Sequence, residues 1–218
     1  MKMAAMMFAG ILLQAVSIHA AEMPKTLFEL AGGNQKAGRL SDSVAVVIDA
    51  QREYVDGKLP LVGIEPSITE AAKLLDRARK AGTPVIHVVH RGKGGLFDPA
   101  TPYYAIIPQL RPVPGESVVE KTLPSAFVGT GLAEVITKTG KKNLILIGYM
   151  THMCVSTTAR AALDLGYQST IVANATATRD LPDGKGGVIT AATIQAASLA
   201  ALSDRFAVIV QDQADIYE

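Results

Sequence analysis

The sequence predicts an α/β fold, a three-layer sandwich whose central sheet is mostly parallel and doubly wound. Strand and helix patterns alternate from residue 43 onward, and several of the strands are continuous apolar runs. Strands separated by helices need crossover connections, and strands covered on both faces lose the alternation of polar and apolar residues. With 218 residues, 49% of them apolar and 19% charged, the chain can bury the core of one domain.

The first half of the alternation begins with the apolar strand at residues 44–48. A helix follows, and the capping box Ser-Ile-Thr-Glu at residues 67–70 predicts its start. Gly82 is expected to end this helix. The next strand covers residues 85–90, and a short strand is expected near residues 118–119, after a glycine-rich loop.

The second half of the chain continues the same pattern up to the C-terminal region. Its predicted elements are a helix at 132–137, a strand at 143–147, a helix at 157–165, a strand at 169–173, a helix at 188–202 and a strand at 206–210. Helices between the strands again imply parallel pairing, so the sheet extends without a change of class.

Four reactive side chains fall at one edge of the predicted sheet. Asp49 follows the first strand, His90 ends the second, Lys121 follows the third and Cys154 follows the fourth. Ligands of parallel sheets bind beyond the carboxyl ends of the strands. Cys154 is the only cysteine, and it lies where a strand turns into a helix, whose N-terminus would favour the reactive thiolate. We therefore expect Cys154 to be the nucleophile of an active site.

Three short segments surround these side chains: VIDAQ at residues 47–51, VEKTLPSAF at 119–127 and GYMTHMCV at 148–155. Together and in this order they resemble the isochorismatase-like cysteine hydrolases, a superfamily that includes nicotinamidase and carbamoylsarcosine amidohydrolase. The resemblance runs from about residue 40 to residue 210. It implies an Asp-Lys-Cys catalytic triad, which in this chain consists of Asp49, Lys121 and Cys154.

The resemblance implies hydrolysis of a small amide, ureido or carbamoyl C–N bond through a thioester intermediate. Cys154 would attack the carbonyl carbon, and Asp49 would take the thiol proton and give it to the leaving amine. Lys121 would hold the carboxylate and favour the thiolate by its charge. The resemblance also implies a cis peptide between Tyr149 and Met150, with the backbone N–H groups of Met150 and Cys154 as the oxyanion hole.

Residues close to these motifs are candidates for the substrate pocket. The candidates are Gln51, Tyr54, His90, Phe127, Tyr149 and His152. Packing in the core is the alternative for Gln51 and the three aromatic residues. His152 could contact the substrate or face a neighbouring subunit.

No metal and no other cofactor is expected. Nicotinamidases of the superfamily carry a metal site built from an Asp-x-His pair and a further histidine, and this chain contains no Asp-x-His. His87 and His90 are three residues apart on a strand, so they point to opposite faces and are poorly placed to share one ion. His87 is therefore expected in the core.

Two other functions stay open at this stage. One branch of the superfamily cleaves the vinyl ether of isochorismate by protonation and can lack the cysteine. In that case Asp49 would do the chemistry and Cys154 would be secondary. The other possibility is a non-catalytic protein of the same fold that binds a small ligand through its thiol or pocket.

Composition and the N-terminus indicate the partners and the location. The net charge is +1, from 21 basic and 20 acidic residues without a basic stripe, so nucleic acid is not an expected partner. Residues 1–20 resemble a secretory signal, which leaves residues 21–218 as a periplasmic or secreted hydrolase domain, free of the membrane. A start at Met23 would instead make the protein cytoplasmic. By analogy with the superfamily, we expect a homo-oligomer, either a dimer or a tetramer.

Overall fold

The computed structural model describes residues 23–33 and 36–218. The strands in this part of the chain are β1 (Ser43–Ile48), β2 (Val85–His90), β3 (Ser117–Lys121), β4 (Asn143–Tyr149), β5 (Gln168–Ala177), β6 (Leu181–Pro182), β7 (Val188–Ile189) and β8 (Ala207–Val210). The α-helices are α1 (Leu27–Leu30), α2 (Ile64–Lys80), α3 (Leu132–Thr139), α4 (Ser156–Asp164) and α5 (Ala191–Ser203). The alternation of strands and helices predicted from the sequence is confirmed.

The central sheet has six strands in the order β3-β2-β1-β4-β5-β8. Every neighbouring pair in it is parallel. The chain moves outward from β1 to β3 on one side and from β4 to β8 on the other, so the direction of winding reverses between β1 and β4. Such a reversal leaves a crevice at the carboxyl ends of the two strands, where ligands of this fold class bind.

Helices cover both faces of the sheet and produce the predicted three layers. Alternate residues of β1 point to opposite faces, as the strand period requires. Ala45 and Val47 pack with the apolar residues of α2 on one face. Val44, Val46 and Ile48 pack with residues of α3, α4 and α5 on the other.

Helix α2 starts earlier than the sequence predicted. It begins at Ile64, after Gly63 in a left-handed conformation (φ 71°), and Pro66 is accommodated in its first turn, where a helix needs no backbone N–H donor. The predicted capping box at residues 67–70 is wrong. Ser67 lies within the first turn and a half of α2 and its side chain is buried. Its hydroxyl donates to the Ile64 carbonyl at 2.9 Å and is 2.8 Å from the Tyr149 hydroxyl.

Two boundaries in the second half also differ from the prediction. β5 extends to Ala177, four residues beyond the predicted end. Val188 and Ile189 do not open the following helix, because they form β7 and pair antiparallel with β6. Helix α5 begins at Ala191 instead, where the Thr190 side chain accepts a hydrogen bond from the Thr193 N–H.

The N-terminal part of the described chain docks beside the end of α5. The N–H of Leu27 in α1 donates to the Asp204 carboxylate at 2.7 Å. The secretory signal expected at residues 1–20 lies outside the described residues. Within the described ranges, no helix combines the length and the apolar character that crossing a bilayer requires.

Candidate active site

Cys154 lies in a π-helical turn, Thr151–Val155, between β4 and α4. The turn folds back on Met150, whose carbonyl accepts hydrogen bonds from the N–H groups of Met153 (3.0 Å) and Val155 (3.2 Å). The peptide bond between Tyr149 and Met150 is cis. The side chain of Cys154 is nearly enclosed, with 4% of the residue surface exposed.

Asp49 is the first residue after β1, and its backbone is left-handed (φ 48°). Few residues other than glycine adopt this conformation, although aspartate tolerates it better than most. The Asp49 N–H donates to the Val88 carbonyl of the neighbouring strand at 2.9 Å, which anchors the turn. The side chain is fully buried. The sharp turn at the end of β1 therefore holds a carboxylate inside the protein.

Lys121, at the end of β3, contacts side chains that lie at or just after the ends of β1, β2 and β4. Its Nζ lies 2.8 Å from Asp49 Oδ2, 2.9 Å from His90 Nδ1 and 3.4 Å from Cys154 Sγ, and it donates to the Leu123 carbonyl at 3.1 Å. Lys121 is the last residue of β3 rather than the residue after it. The other three side chains expected at this sheet edge from the sequence thus surround the Lys121 ammonium group.

The carboxylate of Asp49 has few hydrogen-bond donors. Lys121 Nζ pairs with Oδ2 at 2.8 Å, and hydrogen bonds from Lys121 and the Cys154 thiol oppose the rise that burial causes in the pKa of Asp49, but no other group among the described residues donates to its oxygens. Buried carboxylates are usually saturated with donors, and leaving one unsaturated costs stability. The free lone pairs of Asp49 are available to a proton or to a bound molecule.

The proton between Asp49 and Cys154 rests on sulfur at neutral pH. Burial raises the pKa of Asp49 to about 6, although the Lys121 charge opposes the shift. Burial and the Asp49 charge raise the pKa of Cys154 to about 12, and Lys121 offsets this only in part. The sequence-based expectation of a stabilised thiolate is therefore wrong, because enclosure and the neighbouring carboxylate outweigh the helix N-terminus and the lysine.

His90 is neutral in this arrangement and acts as an acceptor. Burial and the Lys121 charge lower the pKa of His90 to about 4, so Nδ1 is free to accept a hydrogen bond from Lys121. The His90 ring packs edge-on against Phe97, with ring centres 5.1 Å apart. Its place in the pocket region was predicted, but its direct contact with Lys121 was not.

Gln51 supports His90 instead of lining the pocket. Its amide nitrogen donates to the carbonyls of His90 (3.0 Å) and Tyr104 (2.9 Å), and its amide oxygen accepts from the His90 N–H at 2.7 Å. These bonds occupy both ends of a fully buried amide. The predicted pocket role of Gln51 is corrected to a brace that fixes the end of β2.

Two of the three aromatic pocket candidates pack in the core, and Phe127 is half-buried against it. Tyr54 and Tyr149 are buried with ring centres 5.8 Å apart, and the Tyr149 hydroxyl bonds to Ser67. Phe127 stacks on Tyr167 at 5.7 Å, and Tyr167 directly precedes β5, at the amino end of the sheet and away from the thiol. Closeness to a motif in sequence did not place these side chains in the pocket.

His152 and Arg179 lie beyond the carboxyl end of β5. His152 is half-buried with Nδ1 2.6 Å from the Thr178 hydroxyl, and burial together with the Arg179 charge lowers the pKa of His152. Nε of Arg179 is buried without a hydrogen-bond partner among the described residues. Sequence reasoning missed Arg179 because it predicted that β5 ends at residue 173. With the observed end, the rule of strand ends would have selected it.

Within residues 23–33 and 36–218, Asp49, His90 and Cys154 form a group of potential metal ligands. Each offers one ligand atom, and these atoms lie within 4.8 Å of one another. His87, on the opposite face of β2, is buried and bonds to Glu116 at 2.9 Å. The prediction that His87 is a core residue is confirmed. Any metal at this edge would therefore bind the residues that surround Lys121.

Comparisons with known proteins find relatives that share one domain over most of the described residues. The model of the Isochorismatase domain matches residues 43–214. The secreted isochorismatase effector Isc1 of Verticillium dahliae is 40% identical over 174 residues, 79% of this chain and 89% of the relative. The crystal structure of an isochorismatase from Pseudomonas putida has a TM-score of 0.85 at 45% identity, and the match covers 88% of this chain and 99% of that chain.

Two further relatives have different names. Streptothricin hydrolase of Streptomyces noursei is 36% identical over 145 residues, 63% of this chain and 50% of the relative's own length. The ureidoacrylate amidohydrolase RutB of Agrobacterium fabrum is 30% identical over 173 residues, 62% of this chain and 76% of the relative. Proteins with different hydrolytic activities in their names therefore share this domain.

Proposed function

The chain belongs to the isochorismatase family of hydrolases, and we propose that it is a cysteine-dependent hydrolase of a small amide, ureido or carbamoyl compound. The observation that carries the proposal is the contact of Lys121 with both a buried thiol and a buried carboxylate, Cys154 and Asp49. A nucleophile, a proton carrier and a fixed positive charge are the parts that amide hydrolysis needs.

The proposed reaction moves one proton around the site. Asp49 takes the proton from the Cys154 thiol while the sulfur attacks the carbonyl carbon of the substrate. The N–H groups of Met150 and Cys154 are proposed to donate to the resulting oxyanion. Asp49 gives the proton to the leaving amine, and a thioester is left on Cys154. A water then loses a proton to Asp49 and attacks the thioester carbonyl carbon. The C–S bond breaks, the acid product leaves, and Asp49 returns the proton to the Cys154 sulfur.

The position of Lys121 suits this exchange of charge. Before attack the negative charge is on Asp49, and during attack it moves toward sulfur and the substrate. Lys121 Nζ is within 3.4 Å of both groups, so the positive charge has a partner at each stage. Because the raised pKa of Cys154 opposes free ionisation, we propose that proton transfer accompanies the attack rather than precedes it.

Vinyl-ether hydrolysis is the second candidate, and a specific observation favours it. Isc1 and the Pseudomonas putida protein, both at least 40% identical to this chain, are named isochorismatases. In that reaction Asp49, whose pKa is raised to about 6, would protonate the substrate and no nucleophile would be required. We favour C–N hydrolysis because the chain keeps a thiol in contact with Lys121 and because RutB is named an amidohydrolase.

A substrate panel separates the candidates. Ammonia release is measured with amides, ureides and carbamoyl compounds, and isochorismate turnover is measured in parallel. The proteins are the wild type, Cys154→Ala, Cys154→Ser and the control Met153→Leu, which alters an exposed neighbour in the same turn. We expect ammonia release that Met153→Leu keeps and both cysteine variants lose. Isochorismate turnover that survives Cys154→Ser would support the second candidate, and a folded protein inactive on all substrates would support a binding role.

The N-terminal residues 1–20 are proposed to be a secretory signal. The relative Isc1 is named a secreted effector, which supports export of this chain as well. Sequencing the N-terminus of protein expressed from the full chain tests the proposal. A mature protein that starts at Ala21 is expected, and one that starts at Met23 would indicate a cytoplasmic form.

A homo-oligomer, dimer or tetramer, is also proposed. Helix α5 carries no charged side chain, yet Ala196, Ala197 and Ala200 are exposed on it. An apolar helix surface of this kind is usually covered in the native assembly. Sedimentation analysis should give a mass of at least twice that of the chain, and a monomer at micromolar concentration would reject the proposal.

A further inference from the structure

The ammonium group of Lys121 lies among three side chains that each offer a metal-ligand atom. A carboxylate oxygen of Asp49, a ring nitrogen of His90 and the sulfur of Cys154 lie within 4.8 Å of one another. Lys121 Nζ is 2.8, 2.9 and 3.4 Å from Asp49 Oδ2, His90 Nδ1 and Cys154 Sγ, respectively. The Lys121 ammonium group therefore occupies the position that a metal ion bound by these three atoms would take.

The three atoms match the preferences of a thiophilic divalent ion. Carboxylate oxygen, imidazole nitrogen and thiolate sulfur all bind Zn²⁺, and three protein ligands with one water is the usual composition of an open zinc site. Metal–ligand distances of about 2.0–2.3 Å place tetrahedral ligand atoms roughly 3.5 Å apart. Side-chain shifts of about 1 Å from the observed separations would produce this geometry.

We propose that Asp49, His90 and Cys154 form a latent binding site for a thiophilic divalent cation such as Zn²⁺, and that Lys121 keeps it closed by occupying its centre. Binding requires the ammonium group to withdraw and the Cys154 thiol to release its proton to solvent. The metal–sulfur bond then replaces the S–H bond, with no oxidant or reductant. A bound ion would hold both the nucleophile and the base, so it would inhibit the enzyme reversibly.

The surroundings of the three ligands are already ordered for this role. Gln51 holds the backbone of His90 and Phe97 packs against its ring, so the imidazole is fixed in place. Among the described residues, Asp49 has no donors besides Lys121 and the Cys154 thiol, so lone pairs of its carboxylate become available when Lys121 withdraws and the thiol is deprotonated. The inference concerns the same side chains as the proposed reaction but is independent of the substrate.

Titration with Co²⁺, followed by the absorption of its thiolate charge-transfer band, tests the proposal without any turnover. Lys121→Met removes the resident cation, and Lys121→Arg is the matched control that retains it. We expect Lys121→Met to bind one Co²⁺ per chain at least about tenfold more tightly than the wild type, and Lys121→Arg to show no such gain. Zn²⁺ should displace the Co²⁺, and Mg²⁺ should not.

Second substitutions identify the ligands. In the Lys121→Met background, Cys154→Ser and His90→Phe should each abolish the band, while His152→Gln should leave it in place. The proposal is overturned if folded Lys121→Met gives no thiolate band, if its affinity equals that of the wild type, or if the band survives His90→Phe.

A measurement on the wild type covers the case in which Lys121→Met does not fold. Saturating Zn²⁺ should slow alkylation of Cys154, a chelator should restore the rate, and His90→Phe should remove the protection. Unchanged alkylation at saturating Zn²⁺ would also overturn the proposal. An inactive protein that binds Co²⁺ as expected would count against the proposed reaction alone, and an active protein that binds none would count against the metal site alone.

Discussion

Strand β2 carries one histidine into each of two charge clusters, one buried and one half-buried, on opposite faces of the sheet. The Glu116 cluster consists of Arg79, His87 and Glu116. Arg79 donates to both carboxylate oxygens of Glu116, at 2.8 and 3.0 Å, and His87 and the Val113 N–H donate to Oε2, each at 2.9 Å. Burial alone would raise the pKa of Glu116, but these hydrogen bonds outweigh it and lower the pKa to about 2.

The Cys154 cluster, Asp49, His90, Lys121 and Cys154, contains the same kinds of group in the opposite state. Among the described residues, only Lys121 and the Cys154 thiol are donors to its carboxylate, and burial raises the pKa of Asp49 to about 6. A saturated carboxylate stabilises the fold and is too weak a base to accept protons near neutrality. An unsaturated carboxylate costs stability and is able to exchange a proton there. Burial and hydrogen bonding together distinguish the structural cluster from the reactive one, because Asp49 is fully enclosed with few donors and Glu116 is half-buried with several.

The largest expected effect comes from Cys154→Ala. We expect turnover to fall by about 10³-fold or more, because the nucleophile is lost, while the free energy of unfolding changes little. Steady-state kinetics and denaturant unfolding of the same preparation measure the two quantities. Substantial turnover in the folded variant would place the chemistry elsewhere in the cluster.

Asp49→Asn should have the second-largest effect. We expect turnover to fall by about 10²–10³-fold, because the proton carrier is removed. The substituted amide keeps the size of the side chain, so the thiol stays enclosed. The pH dependence of any residual turnover should lose its acid limb. A variant with unchanged turnover and an intact acid limb would show that Asp49 is not the base.

Glu116→Gln should have the opposite effect, a loss of stability without a loss of turnover. We expect it to destabilise the fold by about 1–3 kcal/mol, because Arg79 and His87 lose a charged acceptor, and to leave turnover at saturating substrate unchanged. Chemical denaturation of wild type and variant gives the difference. A loss of turnover comparable to that of Asp49→Asn, without loss of stability, would contradict the distinction between the clusters.

The smallest expected effect is a difference in acid sensitivity between the two clusters: activity should be lost at a higher pH than folded structure. Turnover requires ionised Asp49, so below the Asp49 pKa of about 6 it should fall by about tenfold per pH unit. Glu116 has a lowered pKa in the fold, so its stabilisation is complete above its unfolded pKa and is lost only as the pH falls toward about 2. Kinetics and circular dichroism from pH 7 downward should therefore show activity disappearing before structure. Simultaneous loss would indicate that unfolding causes the acid limb.

The sheet and the placement of Asp49, His90, Lys121 and Cys154 could be predicted because both follow from strand patterns. A parallel sheet brings the residues after each strand to one edge, whatever the details of packing. The Glu116 cluster could not be predicted, since it joins α2, β2 and the start of β3 through contacts that no local pattern encodes.

The state of the thiol and the pocket lining also depended on tertiary structure. The pKa of Cys154 is set by enclosure and by Asp49, and neither is visible in the residues next to the cysteine. Phe127 is near Lys121 in sequence, but its ring stacks on Tyr167, which directly precedes β5. Sequence predicted which side chains meet, and the structure was needed to determine their protonation and their partners.

The most direct test of Cys154 as a nucleophile is mass spectrometry of acid-quenched protein during turnover of an amide from the panel. The predicted result is an acyl group on the peptide that contains Cys154, formed by the wild type and by Met153→Leu and absent from Cys154→Ala, which should also be inactive. Turnover of the same amide by Cys154→Ala, with no acyl group on any peptide of the wild type, would contradict the proposed role of the thiol.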